Sequence, residues 1–284
     1  KLTFARNNEN LIVVDDVAKF YLININTGEL VWSKVNDYPF NSQIKIFKDK
    51  FFAIDYKNIM RCFNLKDGSE CWNFKTEDSL MMSGSKYSII IENESVIFNN
   101  SVGDITAIDI STGSMLWQIP TQSSRINNET YIFKNSKLVS DGNSIFLSNN
   151  KNQFFSINLK LGVINWTNKI SSSLTPVLLD NLIFTISSDG YLFTIDKNQG
   201  NILRVNDIYN LYKTKHRKKT RPVGFSVGQD KLYLSNNDGK IIVINLSSGN
   251  VIKTEKISGG LISEPFIFNR NLFVIKNGSV IKYN

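Results

Sequence analysis

One histidine (His216) and two cysteines (Cys62, Cys71) in 284 residues leave most zinc sites without enough ligands. His216 is also the only histidine on offer for a Ser–His–Asp triad, and it sits in a basic run with no second base nearby. Proline is scarce at 5 and glycine stands at 16, which removes collagen-like and proline-rich linker classes. Charged residues are only 20% against 42% apolar, too little charge for a disordered chain and enough apolar matter for a large core. No apolar run approaches the roughly 18 residues of a membrane-spanning helix. The opening KLTFARNNEN has no apolar stretch behind basic residues and starts on Lys rather than Met, so removal of a leader or tag is expected. Glycine-rich phosphate cradles are missing too, since Gly259–Gly260 reads as a bend that opens no helix.

The net charge of +8 is local. The segment YNLYKTKHRKKTR (209–221) contains Lys213, Lys215, Arg217, Lys218, Lys219 and Arg221 and no acidic residue. The other 27 basic residues face 25 acidic ones, so the remainder is close to neutral. A surface basic all round, as a general polyanion or nucleic-acid binder needs, is excluded.

What is present is a repeat. NINTGELVW, NLKDGSECW, DISTGSMLW, NLKLGVINW, DKNQGNILR and NLSSGNVIK share one register. Their glycines, Gly28, Gly68, Gly113, Gly162, Gly200 and Gly249, lie 40, 45, 49, 38 and 49 residues apart. Four residues after the glycine come all four tryptophans, Trp32, Trp72, Trp117 and Trp166, and then Arg204 and Lys253. Four before it is always Asn or Asp, and five before it always an apolar residue.

An Asn or Asp side chain there accepts a bond from the backbone two residues on and opens a tight turn. The glycine closes the turn at positive φ, giving a bulged hairpin. Ten residues before each glycine a second turn residue recurs (Asn58, Gly103, Asn152, Gly190, Gly239), with Ala18 the exception. Each unit thus reads as three strands and two hairpins, and stretches such as LTPVLL and SEPFIF supply a fourth, inner strand. Gly278 and Tyr283–Asn284 begin a seventh unit that lacks its outer strand.

Four-stranded units of this period are propeller blades. The expected fold is all-β: one seven-bladed β-propeller domain of four-stranded antiparallel blades over 1–284. The blades fall at about 1–37, 38–77, 78–121, 122–170, 171–208, 209–257 and 258–284. An unpaired edge on the last blade predicts closure by an N-terminal strand, lying either before Lys1 or at Lys1–Arg6.

Ala107, Asp109, Thr112, Gly113 and Trp117 fit the pattern A-x-D-x-x-T-G-x-x-x-W. This resembles the tryptophan-docking motif of the PQQ (pyrroloquinoline quinone) repeat β-propeller superfamily, and the resemblance runs over nearly the whole chain. It implies that Trp32, Trp72, Trp117 and Trp166 pack between neighbouring blades and that the two blades without tryptophan have looser or differently packed seams. Within the superfamily stand quinoprotein dehydrogenases and a cofactor-free periplasmic lipoprotein of the outer-membrane β-barrel assembly machinery, the BamB-type scaffold. The dehydrogenases imply a much longer chain, a calcium site, a catalytic Asp and often a vicinal cysteine pair. Here the cysteines are nine residues apart and the acidic residues are scattered.

The expectation is therefore a non-catalytic scaffold of the BamB type with no cofactor and no metal. It binds protein partners, the outer-membrane β-barrel insertase among them, and no nucleic acid. A periplasmic location is implied, with membrane attachment only through a lipid anchor outside this sequence. The alternatives are a PQQ-dependent dehydrogenase or a subunit of one, and an extracytoplasmic sensor or adhesion propeller. The six cations between 213 and 221 are the expected charged contacts to an acidic surface or anionic lipid head group, against the alternative of a mobile solvated loop. Cys62 and Cys71, placed symmetrically about Lys66–Asp67, are expected to face each other, either as a disulfide or as a buried free pair.

Overall fold

The computed structural model describes residues 2–77, 86–121 and 134–283. Lys1 and Asn284, which entered the expected closing strand and seventh turn, lie outside the described residues. The fold is all-β, a seven-bladed propeller built from seven antiparallel sheets whose strands follow chain order. The first four-stranded sheet runs from Thr3–Arg6 to Leu30–Val35, the second from Lys45–Phe47 to Glu70–Lys75, and the third from Ile89–Glu92 to Met115–Ile119. The fourth spans Val139–Ser140 to Ile164–Asn168, the fifth Val177–Leu179 to Ile202–Asp207, and the sixth Pro222–Gly228 to Val251–Lys256. The seventh has three strands, Phe266–Phe268, Asn271–Lys276 and Ser279–Tyr283. Helix among the described residues is confined to Thr214–Arg217.

Of the two expected sources of a closing strand, the one at Lys1–Arg6 is corrected. Thr3–Arg6 is the inner strand of the first sheet, with Thr3 opposite Val14 and Arg6 opposite Leu11. It belongs to that sheet, and the seventh sheet stays three-stranded among the described residues.

The chain divides into two compact units, 1–134 with 142–144 and 158–163, and 135–141 with 145–157 and 164–284. In the first, Phe20, Phe40, Phe51 and Phe63 fill the space between the first and second sheets, and Phe52, Met60, Tyr87 and Phe98 that between the second and third. In the second unit, Phe146, Phe154, Ile183 and Ile195 form one core, and Phe184, Tyr209, Phe225 and Leu234 another. Middle strands such as Ser95–Asn99 are buried throughout, because a blade is covered on both faces.

The repeated turn forms as its chemistry requires. In all six units the glycine N–H donates to the carbonyl of the Asn or Asp four residues back, at 2.8–2.9 Å. Asp109 Oδ1 accepts from the Ser111 and Thr112 N–H groups and from the Thr112 hydroxyl, and Asn24, Asn158 and Asp196 repeat the two backbone bonds. A β-bulge follows at the same place in each unit, for example between Leu22 and Ile23 and between Thr194 and Ile195. Ala18, the exception in sequence, is no exception in conformation: its φ is 68°, beside 58° for Asn58 and 85° for Gly190.

The bulge corrects the cysteine register, though the two thiols still meet. Its extra residue places Cys62 opposite Trp72 and Phe63 opposite Glu70, with Cys71 in the bulge. Both cysteines are free thiols, and Cys71 Sγ donates to Asn64 Oδ1 at 3.4 Å. Burial, then hydrogen bonding with Cys71, pushes the Cys62 thiol far above its ordinary range.

Candidate functional site

Two sets of recurrent side chains carry the candidate chemistry: the residues four after each glycine, and the cations between 213 and 221. The first set forms a ladder of seams. Trp32 Nε1 donates to Leu65 O at 2.9 Å, Trp72 to Ile110 O at 3.1 Å, Trp117 to Leu159 O at 3.0 Å and Trp166 to Lys197 O at 3.1 Å. Each acceptor lies three residues before the next unit's glycine. The ring lies over that glycine, and a Cβ built on Gly200 would stand 2.5 Å from Trp166 Cδ2. Large aromatic area and one satisfied indole N–H join each turn to the preceding strand.

Where tryptophan is lost, the acceptor is kept. Arg204 Nη2 donates to Leu246 O at 2.8 Å and Nη1 to Ser247 O, with Nη2 also reaching Thr194 Oγ1 at 3.2 Å. Leu246 stands three before Gly249, so the guanidinium serves the carbonyl that an indole serves elsewhere. The seam is differently packed and still hydrogen-bonded. Lys253, next in register, instead pairs with Glu255 at 2.5 Å and lies over the Tyr283 ring at 5.6 Å.

Sequence reasoning passed over a second cationic device. Arg61 in the second sheet bonds Asp55 Oδ2 through Nε at 3.1 Å and Glu70 Oε2 through Nη1 at 2.6 Å. Asp55 is wholly buried, and its other oxygen accepts the Lys57 and Ile59 N–H groups. Burial opposes the Arg61 charge, but hydrogen bonds from Arg61 to Glu70 and Asp55 overcome it and raise the guanidinium's pKa. So fully satisfied a cluster closes a turn and leaves no free base or acid. Among the described residues no group of three or more His, Cys, Asp or Glu could hold a metal ion.

The basic segment links the outer strand of the fifth sheet to the inner strand of the sixth. Several of its residues are tied to the neighbouring strands and turns. Tyr209 is wholly buried, with its hydroxyl donating to Asn236 Oδ1 at 2.7 Å. Gly190 makes room for it, since a Cβ there would overlap the Tyr209 ring. Arg217 Nη1 reaches Asp207 Oδ2 at 2.6 Å, and its guanidinium lies 5.3 Å from the Tyr191 ring centroid. Arg221 N–H donates to Asn237 Oδ1, and Asn237 Nδ2 to Lys219 O, which ties the segment to the Asn236–Gly239 turn. Of the six expected contacts, Lys213, Lys215, Lys218, Lys219 and Arg221 are exposed, as is His216, whereas Arg217 is half-buried and its charge is matched by Asp207.

Comparison with known proteins follows from this architecture. A family profile described as "Outer membrane protein assembly factor BamB" matches residues 3–206. The outer membrane protein assembly factor BamB of Legionella pneumophila is 20% identical over 205 residues, covering 72% of this chain and 51% of that protein. Its namesake in Shewanella oneidensis is 20% identical over 278 residues, covering 96% and 67%. The chain thus spans between half and two thirds of the length of these curated relatives. In fold it is similar to the crystal structure of BamB from Moraxella catarrhalis, with a TM-score of 0.77 and 16% identity over 99% of this chain and 83% of that one.

Proposed function

This chain belongs to the family described as outer membrane protein assembly factor BamB, and from that membership we propose that it is a non-catalytic scaffold in outer-membrane β-barrel assembly. Family membership over 3–206 is the observation that carries the reading. The seam geometry supports it: five of the six side chains that recur four after the glycine, all but Lys253, are hydrogen-bonded to the next repeat. Contacts to partners are then made through outer strands and loops. Leu30, Val31, Met115 and Leu116 in one unit, and Ile202 and Leu203 in the other, are exposed apolar residues on outer strands. In this reading the protein works in the periplasm, held to the outer membrane by a lipid outside this sequence, and the β-barrel insertase is its partner.

A tagged copy, expressed in its own cell envelope and recovered with detergent, tests this. Mass-spectrometric identification of the insertase among the retained proteins supports the scaffold. Failure to retain it, or a quinone absorption band and dehydrogenase activity after incubation with PQQ and Ca²⁺, overturns it.

A further inference from the structure

We propose that the segment from Tyr209 to Arg221 is a membrane-contact tip, with Leu211 entering the head-group layer of a bilayer whose anionic phospholipids are bound by Lys213, Lys215, Lys218, Lys219 and Arg221. The inference goes beyond the scaffold reading and stands on its own geometry. Leu211 is 87% exposed, more than any other large hydrophobic side chain among the described residues. Slack does not explain this. Leu211 sits inside a tight turn in which Tyr212 N–H donates to Tyr209 O at 3.0 Å. Both flanking tyrosines are anchored: Tyr209 is buried and bonded to Asn236, and the Tyr212 ring lies 5.1 Å from the Tyr209 ring and 5.1 Å from Lys240 Nζ. The fold therefore projects a leucine into solvent from a fixed base.

The cations follow that leucine in sequence, from two to ten residues on, and share its loop. No acidic residue occurs from Ile208 to Gln229. The carboxylates that touch the loop's surroundings are already matched, Asp207 by Arg217 and Asp238 by Lys240. An acidic protein surface satisfies the lysines by charge alone, and takes the leucine only if it also offers an apolar cleft beside that charge. An anionic bilayer accepts both an apolar tip and a cluster of cations, each contribution adding to the other.

Co-sedimentation of the purified protein with phosphatidylcholine vesicles, with and without phosphatidylglycerol, at low and high salt, tests this. Binding is expected to prefer phosphatidylglycerol and to weaken with salt. Leu211→Ser should lower partitioning about tenfold at either salt, by loss of one leucine's burial. Each Lys→Gln change should lower it about fivefold, on anionic vesicles and at low salt only. All these side chains are exposed, and unchanged thermal unfolding of each variant excludes misfolding as the cause. Equal binding to the two vesicle types, or a Leu211→Ser variant that binds as the parent does, overturns the proposal. If vesicles do not bind while the variant with all five cations changed to Gln loses the insertase from the pull-down, the loop serves an acidic protein. The lipid proposal then falls and the scaffold reading stands.

Discussion

Gly200→Ala measures how tightly one seam is closed. Two costs act there. Gly200 has φ +76°, a left-handed conformation that costs an L-residue about 1–2 kcal/mol. The stiffer unfolded chain of alanine returns part of this, leaving about 1 kcal/mol net. The second cost is steric, because the new Cβ would stand 2.5 Å from Trp166 Cδ2. The ring cannot yield freely: its N–H is bonded to Lys197 O at 3.1 Å and its face is stacked on Phe154 at 5.8 Å. Overpacking of this kind adds about 1–3 kcal/mol. Gly28 is the control, with φ +74° and nothing within 4 Å of a built Cβ. In urea unfolding, Gly28→Ala should lose about 1 kcal/mol and Gly200→Ala about 2–4 kcal/mol. In a Trp166→Ala background the ring is gone, and Gly200→Ala should fall back to about 1 kcal/mol beyond the parent variant. Equal losses for Gly28→Ala and Gly200→Ala, or a Gly200→Ala cost unchanged by removal of Trp166, would refute the docking argument.

Four further outcomes are expected. Arg204→Met, which keeps length and removes the donors, should cost about 1–3 kcal/mol in the same assay by stranding the Leu246 carbonyl. Ala18→Gly should raise the melting temperature slightly, gaining up to about 1 kcal/mol from relief of its positive φ. In thiol titration without reductant, Cys71 should react in the folded protein and Cys62 only on unfolding, and two thiols should be counted in total. Asp109 is held below the usual carboxylate range by hydrogen bonds from the Thr112 N–H and hydroxyl, so its contribution is present above its unfolded value and lost as pH falls through the folded one. Acid unfolding of Asp109→Asn, which copies the residue used at Asn24, Asn158 and Asn245, should lack that component.

The blades were legible because one turn is written out six times. Asn or Asp, glycine and tryptophan act locally or on the neighbouring repeat, so their spacing carries the hairpin, the bulge and the seam together. Conformation that depends on the repeat as a whole was less legible. Ala18 looked like a departure because alanine disfavours positive φ, yet the flanking strands of the hairpin impose the turn that glycine or asparagine adopts elsewhere. The cysteines came together as a free pair, but their register was misjudged for a related reason. Their symmetry about Lys66–Asp67 assumed an even ladder, and the bulge that glycine itself creates adds the residue that puts Trp72 opposite Cys62.

The basic segment shows the same boundary between what composition states and what packing decides. Six cations were countable, but that one of them is taken is a fact about Asp207 and Tyr191, which lie ten and 26 residues before Arg217. The loop's anchoring is likewise set from a distance: Gly190 leaves the space for the Tyr209 ring, and Asn236 accepts its hydroxyl. A run of lysines alone would suggest a solvated tether with its charge smeared over many conformations. Fixing its base at Tyr209 and Tyr212 changes the physics, because the entropy of ordering the turn is met during folding and not at the moment of contact. In the membrane-contact proposal, the exposed leucine and the five exposed cations therefore meet the bilayer from a base already positioned.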